Sequence, residues 1–354
     1  MIRFAQLYTG ALGSEVIRRL PNHHELELVA VLVHSADKAG QDSGVLAGGE
    51  PNGIITTQSV DEVLAARPQA AIHFGLWELD VIERFLRAGV NLYIGRGAFY
   101  LPGLPEFEIL DAAGRAGDAS CAGGGNSPGL VPDVFPLFLS GYTGQIRAID
   151  VVQRNDISAY PGADRMQAAV GIGKPPGTPA SMDGTGGRGS SMGQAANMVA
   201  TALGVECTDL VLVDKRVALA TEDFVLSGSG LLVEEGTVAG VQWKWSARCG
   251  DREFLTITNE QVAAVGLGPG WRDSPDEPTW RVEIDGEPSI VATFGWSEGT
   301  EAGKAIGLLN VRRAMNTIPR LVAAPPGCVS VLDFPAVVAG DGLARPQRSS
   351  GPDN

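Results

Sequence analysis

The chain has 354 residues, more than one hydrophobic core usually fills, so about two domains are expected. With 44% hydrophobic and 19% charged residues it is an ordinary globular protein, and its net charge of −14 repels phosphate backbones and anionic lipid. Nucleic acid and membrane are therefore poor partners, and a small-molecule substrate is the expectation.

The opening Met1-Ile-Arg-Phe-Ala-Gln-Leu7 has no signal-peptide pattern, and apolar runs such as residues 28–33 are strand-sized, which points to the cytoplasm. Cys121, Cys207, Cys249 and Cys328 form no C-x-x-C pair and are expected to be reduced and buried. His23 and His24 fall in a helix-to-strand turn, where solvated surface is expected. No cluster has metal-ligand spacing, so no metal is predicted.

In chain order, residues 2–7 read as a strand and 11–20 as a helix, with Val16, Ile17 and Leu20 on one face. Residues 28–33 form a continuous apolar strand of the kind buried between helix layers. A short strand at 54–57 precedes Ser59-Val-Asp-Glu62, a capping box that opens the next helix. A strand at 70–74, a helix at 76–87, a strand at 90–94, a helix near 105–116 and a strand at 119–122 continue the alternation. About six β-α units of this kind define a Rossmann-type doubly wound parallel sheet.

Beyond residue 145 longer strands appear, at 146–153, 210–220, 231–248 and 280–294, with one helix near 192–203. They predict an inserted α+β domain. Residues 174–188, rich in Gly, Pro and Ser, are expected to form a mobile loop, and 301–315 a helix. The domain reading is 1–143 for the nucleotide-binding unit, 144–301 for the α+β substrate and oligomerisation unit, 302–340 returning to the first, and 341–354 as a loose tail.

Between the first strand and helix stands Tyr8-Thr9-Gly10-Ala11-Leu12-Gly13, at the place of G-x-G-x-x-G. Gly10 and Gly13 hold the second and third glycine positions, and Tyr8 replaces the first. Thr9, Gly10, Ala11, Leu12 and Gly13 would present backbone N–H groups to a pyrophosphate at the helix N-terminus. The second strand ends in Val33-His34-Ser35-Ala-Asp37-Lys38. No acid stands directly at the strand end to hold a ribose hydroxyl, and Ser35 and Lys38 suit a 2′-phosphate. NADP is the expected cofactor; Asp37 keeps NAD possible.

His73 ends the fourth strand at the carboxyl edge, where open α/β sheets bind ligands, and is a candidate contact for cofactor or a structural histidine. After the sixth strand, Gly123-Gly-Gly-Asn126-Ser-Pro128-Gly129 offers Asn126 as an N-cap and Pro128 as a first-turn residue. The same helix N-terminus would suit a carbonyl, carboxylate or amide.

These segments resemble the dihydrodipicolinate-reductase-like family, in the group of 2,4-diaminopentanoate dehydrogenase and the native amine dehydrogenases. The likeness runs through residues 8–13, 33–44, 125–129, 155–160, 171–173, 236–240 and Asn316-Thr-Ile-Pro to Pro326-Gly327. It implies a return of the chain to the nucleotide domain from about residue 302. Two departures stand out. The resemblance implies a small residue where Tyr8 stands, and a glutamate after the fifth strand where this chain has Gly95-Arg96-Gly97. Arg96 is a fixed cation, better suited to a carboxylate or developing oxyanion than to an ammonium, and it argues against amine dehydrogenation.

The expected activity is NAD(P)H-dependent hydride transfer to or from a C=N, C=O or C=C bond of a small organic substrate. Tyr160 is the candidate proton donor, with Tyr8 and Tyr100 as rivals, and Arg96 and Asn126 are candidate catalytic groups. The alternative is a non-redox isomerase, cyclase or dehydratase on the same fold. An open sheet edge in the second domain predicts a homodimer or higher homo-oligomer.

Overall fold

The computed structural model describes residues 1–160, 162–184, 189–264, 266–271 and 280–340, so the predicted tail at 341–354 lies outside them, as do residues 185–188 of the predicted loop. The first half builds β1 (Ile2–Leu7), α1 (Ala11–Arg19), β2 (Leu26–Leu32), α2 (Ser43–Leu46), β3 (Thr56–Thr57), α3 (Val60–Ala65), β4 (Ala70–His73), α4 (Leu79–Arg87), β5 (Asn91–Ile94), α5 (Phe107–Gly117) and β6 (Ser120–Gly123). The second half adds α6 (Val134–Ser140), β7 (Gly144–Asp156), α7 (Ala163–Ala169), α8 (Ser191–Leu203), β8 (Val211–Leu219), β9 (Phe224–Val225), β10 (Leu232–Val233), β11 (Val238–Cys249), β12 (Arg252–Val262), β13 (Trp280–Glu287), β14 (Ile290–Phe294), α9 (Ala302–Val322) and β15 (Gly327–Val329).

The first sheet is parallel, in the order β15-β6-β5-β4-β1-β2-β3. The strand order turns back at β1, which leaves a crevice beyond its carboxyl end, the ligand position of doubly wound sheets. Alternate residues face opposite layers. Phe4, Ile72, Tyr93 and Ala122 pack with Val16 and Ile17 of α1 and with Val311, Ala314, Met315 and Ile318 of α9. Ala5, Leu7, Ala71 and Leu92 pack with Val63 of α3, Ile82, Phe85 and Leu86 of α4, and Leu110 of α5. Burial on both faces explains why these strands read as unbroken apolar runs.

The second sheet runs β14-β13-β7-β12-β11-β8, with β7 and β12 parallel and the other neighbours antiparallel. Its inner face carries Trp243, Trp245 and Trp280 against Met192, Ala196 and Val199 of α8. The outer face presents Asp150, Arg154, Lys244, Arg281 and Glu283 at half-buried or exposed positions. The molecule is thus an α/β protein of Rossmann type with a second, mixed sheet.

Several local expectations are corrected. The 231–248 run breaks after β10 at Glu234-Glu235-Gly236, with Gly236 at φ +78°. The 280–294 run is a hairpin, β13 and β14, and β12 and α7 were not foreseen. Ser59 caps α3, but the Glu62 carboxylate accepts from the Thr57 hydroxyl instead of closing the box. His23 is buried at 4% exposure, and only His24 is solvated. Of the four free cysteines only Cys121 is fully buried. Within the Gly/Pro/Ser-rich segment, Asp183 accepts from Trp243 Nε1 at 2.8 Å and pairs with Lys215 at 2.6 Å, which ties that segment to the second sheet.

Candidate active site

The β1–α1 turn is shaped for close approach. A side chain at Gly13 would put its Cβ 2.0 Å from the Tyr8 carbonyl oxygen, so only glycine lets α1 pack this tightly on β1. At Gly10 a Cβ would meet nothing within 4 Å, so the ground above it is open. Helix α1 has no acidic residue in its first turn and no side chain capping its N–H groups. Its N-terminal dipole and donors therefore face that opening unneutralised. Thr9 is buried with its hydroxyl lacking a partner, and Ala11 is exposed. Leu12 differs from its neighbours, packing with the core between α1 and α9.

Lys38 reaches from the end of β2 to donate from Nζ to the Thr9 carbonyl at 3.3 Å, so its ammonium stands beside the glycine turn. Ser35 is half-buried beside it and caps no helix with its side chain. These groups fit a dinucleotide: an open glycine turn, a free helix N-terminus, an orphan hydroxyl and a cation beside the turn.

Tyr8 adopts φ +71°, a left-handed conformation that L-residues seldom take and that the first glycine of such a turn takes freely. The buried Gln6 amide steadies it by donating to the Tyr8 carbonyl at 3.1 Å. Its ring turns away from the glycine turn and lies on the end of β4. A Cβ at Gly75 would fall 2.1 Å from it, and the His73 ring meets it edge-on at 5.4 Å. The Tyr8 hydroxyl donates to the Glu78 carboxylate at the start of α4. Burial, then the hydrogen bond to Glu78, push the phenol well above its usual range, so it stays protonated.

His73 is fully buried, and neither ring nitrogen has a partner beyond its own main chain. Burial pulls its pKa down to about 4, opposed by the nearby Glu78 charge and reinforced by that of Arg96. Arg96, at the tip of the loop after β5, is exposed, and among the described residues it has no hydrogen bond or ion pair. Opposite charges on Glu78 and Arg96 thus both act on one neutral imidazole, and among the described residues they form no ion pair with each other.

The low pKa of His73 has a consequence for stability. The unfolded chain takes up a proton near pH 6.5, the folded chain only near pH 4, so acidification favours the unfolded state between those values. The slope is about 1.4 kcal/mol per pH unit, or about 3 kcal/mol over the window. In urea melts at pH 7 and pH 4.5, wild type is expected to lose correspondingly more stability than His73→Asn. Equal losses would show that His73 does not titrate in this way.

The other candidates are placed differently. Asn126 is buried and spends its Nδ2 on the Ile306 carbonyl of α9 at 2.9 Å. It is not the N-cap expected: α6 starts at Val134 and is capped by Asp133, so Pro128 lies outside it. Tyr160 is half-buried beside the Arg165 guanidinium, 5.9 Å from its ring centre, with no described hydrogen bond or ring contact to Tyr8, His73 or Arg96. Tyr100 is buried at 5% exposure. Glu78 was missed altogether. Its carboxylate, at the start of α4, accepts from the Tyr8 hydroxyl and acts on the charge of His73.

A parallel sheet with this glycine turn and these groups at its carboxyl edge belongs to the NAD(P)-dependent oxidoreductases, and comparison with known proteins agrees. The profile of the 2,4-diaminopentanoate dehydrogenase C-terminal domain matches residues 130–349. An amine dehydrogenase from Streptomyces virginiae is 30% identical over 360 residues, covering 96% of this chain and 98% of that one. An amine dehydrogenase structure from Mycobacterium smegmatis superposes with a TM-score of 0.75 at 20% identity, over 95% of this chain and 97% of that one. GenD2 from gentamicin A biosynthesis, solved with NAD, gives 0.50 at 14% identity over 96% and 90%. The chain belongs to the 2,4-diaminopentanoate dehydrogenase and amine dehydrogenase family, and it is a nicotinamide-dependent oxidoreductase. Among the described residues no helix is long and apolar enough to cross a membrane.

Proposed function

We propose that the enzyme uses NADP(H) to oxidise the C–N bond of a small amine that also carries a carboxylate, and to run the reverse reductive amination. The observation that carries this reading is a pair of opposite charges, Glu78 and Arg96, both near enough to buried His73 to act on its charge and not joined in an ion pair with each other among the described residues. A zwitterionic substrate complements both. The name of the Streptomyces relative supports the amine.

Residues 9–13 would hold the pyrophosphate on the N-terminus of α1, and Ser35 with Lys38 the 2′-phosphate. The nicotinamide cofactor, when bound, would supply the hydride chemistry. Glu78 binds the substrate ammonium and takes one of its protons, freeing the nitrogen lone pair that assists departure of hydride from the adjacent carbon. The Tyr8 hydroxyl, donating to Glu78, fixes the carboxylate's direction. Arg96 receives the substrate carboxylate. His73 stays neutral and takes no proton in the working pH range.

The test is NADP+ reduction, followed at 340 nm, with α-, β- and γ-amino acids and with the same amines lacking the carboxylate. Preference for the carboxylated members, lost in Arg96→Ala, is expected; turnover of neither set would overturn the reading. For the cofactor, Lys38→Ala is expected to weaken NADPH binding by about 1.5–3 kcal/mol and NADH binding far less. Equal losses in titrations of both would show that Lys38 does not read the 2′-phosphate.

We also propose a homo-oligomer formed through β8. This edge strand exposes Val211, Leu212, Val213 and Val217, with Asp214, Lys215 and Arg216 between them, and its outer main-chain groups are free to pair with a second copy. Light scattering should give a mass above one chain for wild type and a lower one for Val213→Lys, while a monomeric wild type would dismiss the proposal.

A further inference from the structure

The loop that carries Arg96 has no regular structure of its own, so its buried backbone groups need partners from elsewhere. They come from the second half of the chain. Gln194, in the first turn of α8 and only 2% exposed, accepts from the Phe99 N–H at 2.7 Å and the Tyr100 N–H at 3.0 Å. Its Nε2 donates to the Gly97 carbonyl at 2.9 Å and to the Gly189 carbonyl at 3.2 Å. Three residues on, Asn197 donates to the Pro102 carbonyl at 3.1 Å.

From the sheet side, Ala98 is fully buried, and a Cβ on Gly123 would fall 2.3 Å from its carbonyl oxygen. The loop is therefore gripped between β6 and α8, and Arg96 alone projects from it. The grip requires a glutamine. A carboxylate at that position could accept from Phe99 and Tyr100 but not donate to Gly97, and a lysine or arginine could only donate.

We infer that Gln194 is a positioning residue that sets Arg96 for the substrate carboxylate, so that α8 of the second domain tunes a site built on the first. This rests on the reading of Arg96 given above; the grip itself does not. It extends that reading by making carboxylate selectivity depend on a residue that never touches the substrate.

The experiment compares wild type, Gln194→Ala and Gln194→Glu, the last retaining half the hydrogen bonds should the alanine variant fold poorly. Amide exchange followed by mass spectrometry should be about 100-fold faster at Phe99 and Tyr100 in Gln194→Ala, close to wild type in Gln194→Glu, which keeps both acceptor bonds, and unchanged in β11 and β12. The kcat/KM ratio of amino acid to decarboxylated amine should fall roughly tenfold, toward that of Arg96→Ala. Adding Gln194→Ala to Arg96→Ala should lower it no further, and NADPH binding should hold throughout.

Unchanged exchange at Phe99 and Tyr100 would overturn the grip. Faster exchange with an unchanged ratio would overturn the positioning role. A wild type that turns over no amine would sink the functional reading, and the exchange measurement would still decide the grip.

Discussion

Glu78→Gln is expected to lower kcat for amine oxidation by about a hundred- to ten-thousandfold, the range a positioned general base contributes. Glutamine keeps the size of glutamate and can still accept the Tyr8 hydroxyl, so the geometry at the end of β4 survives. What it cannot do is take a proton from the substrate ammonium. The loss should therefore appear in kcat and kcat/KM together, while NADPH binding, which we assign to the turn after β1, should stay within a few-fold of wild type. Raising the pH, which supplies free amine from solution, should recover part of the variant's rate. An undiminished kcat would show that another group takes the proton.

The second large effect is on stability. Tyr8→Gly removes a ring buried against Gly75 and His73, a change of the large-to-small kind that costs about 3–5 kcal/mol. Part is returned, because glycine adopts φ +71° without the roughly 1–2 kcal/mol that an L-residue pays there. Urea unfolding should show a net loss of about 1–4 kcal/mol, with NADPH affinity kept, since the ring lies away from the glycine turn.

Gly75→Ala provides the cross-check. Its Cβ would be 2.1 Å from the Tyr8 ring, so the substitution is damaging alone and much less so when Tyr8 is already glycine. Additive losses would mean that the ring does not rest on Gly75.

The first sheet was legible in the sequence because each of its main strands is buried on both faces and so reads as an apolar run. The glycine turn was legible because its spacing is local. The second sheet was harder. Strand β12 places Thr256, Asn259 and Glu260 in buried positions, so its apolar periodicity is interrupted and the strand escapes notice. Two of these groups pair with other strands: Asn259 Nδ2 donates to the buried Gln153 at 2.7 Å, and Glu260 accepts from Gln242 at 2.9 Å.

The site was half legible. Ser35, Lys38, His73 and Arg96 stand at strand ends or in the loops just past them, which the alternation marks. Glu78 lies five residues past the end of β4 and gains its meaning only from Tyr8, 70 residues earlier. Gln194 reads as one more polar residue on a helix until the Arg96 loop is laid against it, 95 residues away in sequence.

The last elements of the fold bear on how it is made. Helix α9 fills one face of the first sheet, and β15 hydrogen-bonds to β6 at its edge. A ribosome that has just released residue 143 has therefore delivered a nucleotide lobe with one flank covered only by α1, the rest of its Phe4, Ile72 and Tyr93 surface waiting for Val311, Met315 and Ile318. The intervening sheet must emerge first, and the lobe closes only when the final stretch of chain returns. During that interval the nascent protein exposes apolar surface that chaperones recognise, and excising the second sheet as a free fragment would leave the nucleotide lobe in two pieces.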